Sequence, residues 1–150
     1  MQVGDIMTRD VKTAKASDTF AVVARILHDN HISSVIVMDG DQLAGIVTER
    51  DLVNVVAEGA DPREEAVADR LTRELATVEP RTDISDAAEL MASRGIRHLP
   101  VMDRGSLAGI VSIRDLTNWA VGELTAGHEL PDLERSQAAL AAHVEVKRNE

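Results

Sequence analysis

Two short motifs place a hydroxyl and a carboxylate three residues apart: Thr48 with Asp51, and Ser112 with Asp115. A hydroxyl can donate to a phosphate oxygen, and a carboxylate can accept hydrogen bonds from the two adjacent hydroxyls of a ribose. The same spacing is that of a capping box, in which both side chains satisfy free backbone N–H groups at a helix start. Each motif therefore has two interpretations, a helix cap and part of a nucleotide site.

Both motifs directly follow a Gly-Ile-Val segment, which begins at Gly45 in the first case and at Gly109 in the second. If these segments are strand ends, the N-terminus of the next helix, with its unpaired N–H groups, attracts an anion. Glycine in the strand allows a ligand to approach the backbone closely. We therefore expect each motif to offer complements to both the sugar and the phosphate of a nucleotide.

The two motifs are part of an internal duplication. Asp51 and Asp115 lie 64 residues apart, and a shift by that distance aligns Val3–Asn54 with Val67–Asn118 without a gap. In this alignment 19 of 52 pairs are identical, where average residue usage gives roughly 3 by chance. The chain is therefore a small domain copied once.

The first helix of each copy is indicated by apolar residues at helical spacing. In the first copy we expect Ser17 or Asp18 to cap this helix, which ends near His31. In the second copy Thr82 or Asp83 is the expected cap, and Gly95 takes the place of His31. Glycine favours a left-handed helix end and histidine tolerates it, so both helices should stop at the same point.

A hairpin and a second helix follow in each copy. The turns are predicted at Asp39–Asp41 and at Asp103–Ser106, because Gly and Asp lie there between β-branched segments. The second helices are predicted from Thr48 to about Glu58 and from Ser112 to about Leu124. Each copy thus has the order extended segment, helix, strand, strand, helix.

Composition restricts the class of protein. The 150 residues are 44% hydrophobic, include no cysteine and carry a formal charge of -10. Such a chain can bury a core without disulfides, and its charge and few aromatic side chains argue against nucleic acid as a partner. It has neither an apolar segment of about 20 residues nor the layout of a signal peptide. We therefore expect a cytoplasmic protein that does not contact membranes.

The duplicated unit resembles a tandem pair of CBS domains, the cystathionine-β-synthase-type regulatory unit also known as a Bateman module. The family pattern of strand, Gly-h-x-Ser/Thr-x-x-Asp and helix is met by Gly45–Asp51 and by Gly109–Asp115. The resemblance covers about residues 1–124. It implies an α+β fold with two repeats about a pseudo-twofold axis: one CBS domain in 1–60, another in 61–124, and a helical tail in 125–150.

The resemblance also implies two clefts between the repeats that bind adenosine-containing ligands such as AMP, ADP, ATP or S-adenosylmethionine. In one cleft Asp115 would bind the ribose, Ser112, Arg97 and His98 would reach phosphate, Ile110 would pack on the base, and Thr8, the Lys12 backbone, Ile32 and Ser33 would enclose the adenine. The symmetric cleft would be formed by Thr48, Asp51, Ser34, Ile46, Thr72, Ala76 and Ile96.

The two clefts differ in charge. The Arg97-His98 pair is replaced by Ser33-Ser34 in the symmetric cleft, so we expect the Asp115 cleft to bind the more anionic ligand. Arg50 and Arg114 precede the two aspartates and are solvated residues of the first helical turn, partners of nearby acidic residues, or further phosphate contacts. His98 is either such a contact or an ordinary exposed residue at a strand end.

The leading hypothesis is a stand-alone, non-enzymatic sensor, expected to be a homodimer, that signals nucleotide occupancy to an unknown partner protein. The alternative is a constitutive dimeric scaffold with degenerate clefts. An apolar stripe from Leu133 to Val144 predicts a tail helix that lies on its own domain, on a dimer partner or on another protein. No nucleophile and base pair accompanies the aspartates, and His28 and His31 lack a third metal ligand, so neither a catalytic nor a metal site is expected.

Overall fold

A computed structural model of the chain describes residues 1–126, and the predicted tail helix lies outside them. The described chain is a mixed α+β protein, as expected. None of its helices is long and apolar enough to cross a membrane. Its elements in chain order are α1 (Val3–Ile6), β1 (Thr13–Lys15), α2 (Phe20–Asn30), β2 (Ser34–Asp39), β3 (Gln42–Thr48), α3 (Glu49–Ala57), a 3-10 turn (Val67–Asp69), α4 (Ile84–Arg94), β4 (His98–Asp103), β5 (Ser106–Ser112) and α5 (Ile113–Thr125).

The chain divides into two compact units. The first, Asp10–Leu75, is named here the repeat-1 unit, and the described part of the second, the repeat-2 unit, consists of 1–9 and 76–126. In the repeat-1 unit, β1 is parallel to β2 and β3 is antiparallel to it. One face of this sheet packs against apolar faces of the helices, and the buried core consists of Ala14, Phe20, Val23, Leu27, Val35, Val37, Val47, Val55 and Val67.

The repeat-2 unit has the same architecture, with β4 and β5 antiparallel. Val78 pairs with Val101 in the parallel direction and takes the place of the short first strand. The core again lies between one sheet face and the helices, and it consists of Val3, Met7, Val78, Ile84, Ala87, Ala88, Met91, Ala92, Leu99, Val101, Val111 and Leu116.

Each unit includes the first residues of the other sequence copy, named here its leading segment. These residues are 1–9 in the repeat-2 unit and 67–75 in the repeat-1 unit. In the repeat-2 unit, the Val3 amide donates to the Thr82 carbonyl at 2.8 Å. At the equivalent place in the repeat-1 unit, the Val67 amide donates to the Asp18 carbonyl at 2.9 Å. The repeat in sequence and the compact unit in space are therefore offset, because the first residues of each copy belong to the other unit.

The ends of the first helices follow the sequence prediction in part. Both C-termini are left-handed, with φ of +54° at His31 and +62° at Gly95, which confirms the predicted stops. Asp83 is the N-cap of α4, whereas Thr19, not Ser17 or Asp18, is the N-cap of α2. The prediction of Asp18 as the cap was wrong, because the Asp18 carboxylate accepts the Lys15 amide at 2.8 Å and closes the preceding turn, not the start of α2.

Both predicted hairpins form, and both contain a β-bulge that the sequence analysis did not anticipate. In the first hairpin Val37 pairs with Gly45 but Met38 pairs with Leu43, so Ala44 is the extra residue. The second hairpin has the same irregularity between Val101 and Met102. A bulge increases the local twist of the strand and changes the direction of the residues that follow it, here the strand ends that carry the two motifs.

Candidate functional site

Helices α3 and α5 both begin with a capping box. In α5, Ser112 donates to Asp115 Oδ2 through its amide at 2.7 Å and through its hydroxyl at 2.6 Å. In α3, Thr48 makes the same two bonds to Asp51 Oδ2, at 2.8 and 3.2 Å. Because all these bonds use one oxygen, the Oδ1 atoms of both aspartates accept no hydrogen bond from residues 1–126. Each carboxylate is held in a fixed orientation with a free acceptor atom.

The backbone N–H groups of the first helical turns are largely used within the protein. The Ile113 amide donates to the Arg97 carbonyl at 2.9 Å, and the Asp115 amide donates to the Ser112 hydroxyl at 3.3 Å. In α3 the Glu49 amide donates to the Ser33 carbonyl at 3.0 Å. Only part of each first turn is therefore open to an anion, so the anion site made of helix N–H groups stays a prediction and side chains are the stronger candidates for binding anionic groups.

The prediction that the two strand glycines let a ligand approach the backbone is wrong. A Cβ atom on Gly109 would lie 2.8 Å from the Thr8 carbonyl oxygen, and one on Gly45 would lie 2.8 Å from the Thr72 carbonyl oxygen. Real Cβ atoms essentially never come so close to a backbone oxygen. The glycines therefore admit the leading segment of the other copy, not a ligand.

In the repeat-2 unit, strand pairing gathers most of the residues predicted for the Asp115 cleft. Val111 lies in the core, so Ile110 and Ser112 point to the opposite sheet face. His98 is paired with Ser112, and Thr8 exchanges backbone hydrogen bonds with Ile110 at 2.9 and 3.0 Å. The name Asp115 site is used below for the set Thr8, Arg97, His98, Ile110, Ser112 and Asp115.

The repeat-1 unit contains the equivalent set. Ile46 forms a bridge with Thr72, and Ser34 is paired with Thr48. Val47 lies in the core, so Ile46 and Thr48 point to the opposite face. The name Asp51 site is used below for the set Ser33, Ser34, Ile46, Thr48, Asp51 and Thr72.

Four predicted residues belong to neither set. Lys12 is in the repeat-1 unit, where its carbonyl accepts the Ile36 amide at 3.4 Å and its ammonium pairs with Asp10 at 2.9 Å. Ile32 packs against the core of the same unit, and Ala76 and Ile96 pack against the core of the repeat-2 unit. Their contribution to a ligand site, like that of Ser33 to the adenine, stays a prediction.

The charges near the two aspartates differ. Arg97 and Arg114 are exposed, and neither guanidinium has a hydrogen bond or ion pair with residues 1–126. Arg50, the equivalent of Arg114, is exposed in the same way, but Glu49 stands where the other copy has Ile113. The sequence analysis compared only the 33–34 and 97–98 pairs and missed Glu49, although the 64-residue alignment places it opposite Ile113.

The perturbed titratable groups lie outside both sites. Arg70 donates hydrogen bonds to Glu65, at 2.7 Å, and to Glu58, and these bonds raise the pKa of Arg70 and join the end of α3 to the segment after it. Hydrogen bonds from Arg63 lower the pKa of the Asp61 carboxyl. Within residues 1–126, no three His, Asp or Glu side chains are grouped as metal ligands would be.

Comparison with known sequences gives relatives that span most of this chain. The "CBS domain-containing protein YhcV" of Bacillus subtilis is 30% identical over 132 residues, which cover 87% of this chain and 94% of that protein. The "Uncharacterized protein MK0525" of Methanopyrus kandleri is 37% identical over 77% of this chain, but the match spans only 61% of its length.

Comparison with solved structures also finds proteins that match most of this chain. A protein with CBS domains from Burkholderia ambifaria superimposes with a TM-score of 0.79 at 31% identity, over 82% of this chain and 96% of that one. The CBS domain pair of protein MJ0100, solved with 5′-methylthioadenosine and S-adenosyl-L-methionine, shares the fold at 24% identity with a TM-score of 0.76, over 82% of this chain and 98% of that one. The family model described as "CBS domain" matches residues 3–58 and 67–122. The chain therefore belongs to the CBS domain family and carries two copies of the domain.

Proposed function

We propose that this CBS-domain pair is a cytoplasmic regulatory module that binds an adenine nucleotide at the Asp115 site and signals its occupancy to a partner protein. The observation that carries the proposal is the state of the Asp115 carboxylate. Ser112 holds its Oδ2 atom by two hydrogen bonds, and Oδ1 accepts none from residues 1–126. An oriented acceptor of this kind matches the two hydroxyls of a ribose.

The other parts of a nucleotide also have complements in the repeat-2 unit. Ile110 is half-buried and points away from the core, so its side chain offers an apolar surface for the base. The exposed guanidiniums of Arg97 and Arg114 are available for phosphate oxygens, which arginine binds in bidentate geometry. The Ser112 proton is used on Asp115 at 2.6 Å, so we assign phosphate binding mainly to the arginines.

Two further points support the proposal. The CBS domain pair of MJ0100 was solved with two adenosine compounds, which makes this class of ligand the natural first choice for a chain of the same fold. A ligand can signal only through its different affinity for two arrangements of the protein. Regulation here therefore consists of a shift between conformations that a partner protein distinguishes.

A second candidate, a constitutive dimeric scaffold, is favoured by exposed apolar residues on the second helices. Val53 and Val56 on α3 are 63% and 61% exposed, and Val121 and Leu124 on α5 are each 54% exposed. Residues three apart lie on the same side of a helix, so each pair forms an apolar strip. Such strips are typical of protein contact surfaces and fit a homodimer or a complex with another protein.

The test is calorimetric titration of nucleotide-stripped protein with AMP, ADP and ATP, repeated on Asp115→Ala and Asp51→Ala. Both variants lose the same capping box, so they are matched in their effect on the helix. We expect Asp115→Ala to weaken binding of the preferred nucleotide roughly 10- to 100-fold, the value of one lost charged hydrogen bond, and Asp51→Ala to leave that binding largely unchanged.

Thermal unfolding of both variants is the control for their fold, so that weak binding is not mistaken for unfolding. An Asp115→Ala protein that binds as tightly as the unmodified chain contradicts the assignment of the site. If none of the nucleotides binds, and if Val53→Ser with Val56→Ser converts a dimer into a monomer, the scaffold is the better description.

A further inference from the structure

We propose that the Asp51 site selects an adenosine compound whose 5′ substituent is uncharged or cationic, so that the two sites of this chain take different ligands. The inference rests on the proposed function, because it assumes that adenosine is recognised through the aspartate and the apolar residue of each site. It adds the chemical class of the ligand at the second site.

The adenosine-binding elements are the same in both sites. Asp51 is held at Oδ2 by Thr48, at 2.8 and 3.2 Å, as Asp115 is held by Ser112. Ile46 points away from the core and is bridged to Thr72, as Ile110 is bridged to Thr8. A ribose acceptor and an apolar surface for the base are thus present in each unit.

The groups that would contact a 5′ substituent are different. Arg97 and His98, before β4 and at its start, correspond to Ser33 and Ser34 in the repeat-1 unit. Ser33 has neither a positive charge nor the length of an arginine side chain. The Asp51 site therefore lacks a counterpart of Arg97, one of the two guanidiniums that are assigned to phosphate in the Asp115 site, and keeps only Arg50, the counterpart of Arg114.

Glu49 strengthens this contrast. It is the first residue of α3, and its amide donates to the Ser33 carbonyl at 3.0 Å, so it lies beside the strand start and next to Thr48. Its carboxylate is exposed and has no partner within residues 1–126, whereas the equivalent residue in the other copy is the uncharged Ile113.

The balance of formal charge consequently has opposite sign at the two places. Near Asp115, two arginines outnumber one carboxylate, whereas near Asp51 two carboxylates outnumber Arg50. A phosphate dianion is attracted in the first case and repelled in the second, and the chain's net charge of -10 adds to the repulsion. A thioether or sulfonium group at the 5′ position avoids this penalty.

The first experiment titrates the full chain and its Asp51→Ala and Asp115→Ala variants with AMP, with uncharged 5′-methylthioadenosine and with the sulfonium compound S-adenosylmethionine. We expect Asp51→Ala to weaken binding of at least one of the two phosphate-free compounds tenfold or more, and Asp115→Ala to change it less than threefold. AMP should show the reverse pattern. The inference is overturned if binding of the phosphate-free compounds is weakened only by Asp115→Ala. It is also overturned if both substitutions weaken AMP binding equally.

The second experiment transfers the charges. In an Asp115→Ala background, Ser33→Arg with Glu49→Ile should raise the affinity of the Asp51 site for AMP at least tenfold, and Glu49→Gln alone should give part of this gain. Ser33 is half-buried and Glu49 is exposed, and thermal unfolding checks the fold of each variant. If the variant with Ser33→Arg and Glu49→Ile is folded but its affinity for AMP does not rise, the inference is overturned. If the unmodified chain in that case still binds AMP and Asp115→Ala alone weakens this binding, the proposed function remains intact, whereas absence of nucleotide binding in the unmodified chain refutes both.

Discussion

The Cα atom of Gly109 lies against the carbonyl oxygen of Thr8, so closely that a Cβ atom on residue 109 would be 2.8 Å from that oxygen. The Met7 sulfur would be equally close, at 2.8 Å. Two backbone hydrogen bonds between Thr8 and Ile110 hold the segments together. The leading segment therefore joins the repeat-2 unit along a strand that has no side chain at the point of contact, and Gly45 plays the same part beside Thr72.

We predict that Gly109→Ala destabilises the protein. The new methyl group must displace backbone as well as the Met7 side chain, so the free energy of unfolding should fall by about 1–3 kcal/mol, measured by urea denaturation. Gly122→Ala is the control, because a Cβ on Gly122 meets nothing within 4 Å. In the interior of α5 that substitution should stabilise the protein by about 0.5–1 kcal/mol. If Gly109→Ala and Gly122→Ala are equally stable, residue 109 does not lie against the Thr8 carbonyl as described.

Much of the fold was predictable because its signals are local. The left-handed ends at His31 and Gly95, the hairpin turns and the starts of α3 and α5 each depend on a few neighbouring residues with a strong conformational preference. The duplication helped further, since each prediction was made twice on independent residues. The positions of the aspartates at helix starts followed from the same local rules.

The errors concern contacts between residues distant in sequence. The Arg97 carbonyl that accepts the Ile113 amide, and the Thr8 carbonyl that meets Gly109, cannot be inferred from the residues next to each motif. The same motif is compatible with a helix start whose N–H groups are unpaired and with one whose N–H groups donate to a distant carbonyl. Only tertiary structure decides between the two. The bulge at Ala44 was missed because no residue type there specifies it.

Exchange of the helix-terminal residues should change stability in opposite directions. His31 has a φ of +54° and Gly95 a φ of +62°, a conformation that costs a residue with a Cβ more than it costs glycine. We expect His31→Gly to raise the free energy of unfolding by about 0.5 kcal/mol and Gly95→Ala to lower it by about 1 kcal/mol. The measurement is again urea denaturation. A loss of stability in His31→Gly would mean that the imidazole makes a contact worth more than the strain.

The Asp61 and Arg63 pair predicts a pH effect. Arg63 donates to Asp61 through its amide at 2.9 Å and its guanidinium at 2.8 and 3.1 Å, and the side-chain bonds are the main reason why the pKa of Asp61 is lowered. A carboxyl with a lower pKa in the folded state stabilises the fold above its ordinary pKa, and the contribution is lost as the pH falls through the lowered value.

An NMR titration of the Asp61 carboxyl carbon measures this shift. Arg63→Gln should raise the pKa of Asp61 towards its ordinary value, and high salt should do the same in the unmodified protein, because the pair is exposed. The effect on the unfolding midpoint should be small for the same reason. An Asp61 pKa that is identical with and without the guanidinium would show that the pair does not persist in solution.

The last prediction separates the two members of the capping box at the Asp115 site. Ser112 donates its proton to Asp115 Oδ2 at 2.6 Å and accepts the Asp115 amide at 3.3 Å. Ser112→Ala should therefore lower the free energy of unfolding by about 0.5–2 kcal/mol through loss of the cap. Because the ribose acceptor and both arginines remain, we expect the affinity for AMP to fall less than fivefold, in contrast to Asp115→Ala.

Thr48→Ala is the matched control, since it removes the equivalent hydroxyl in the repeat-1 unit and should lower stability without any effect on AMP. Denaturation and calorimetry on the same three proteins separate the two effects. If Ser112→Ala weakens AMP binding as much as Asp115→Ala does, the hydroxyl leaves the carboxylate when the nucleotide binds and donates to a phosphate oxygen, and the cap is exchanged for a ligand contact.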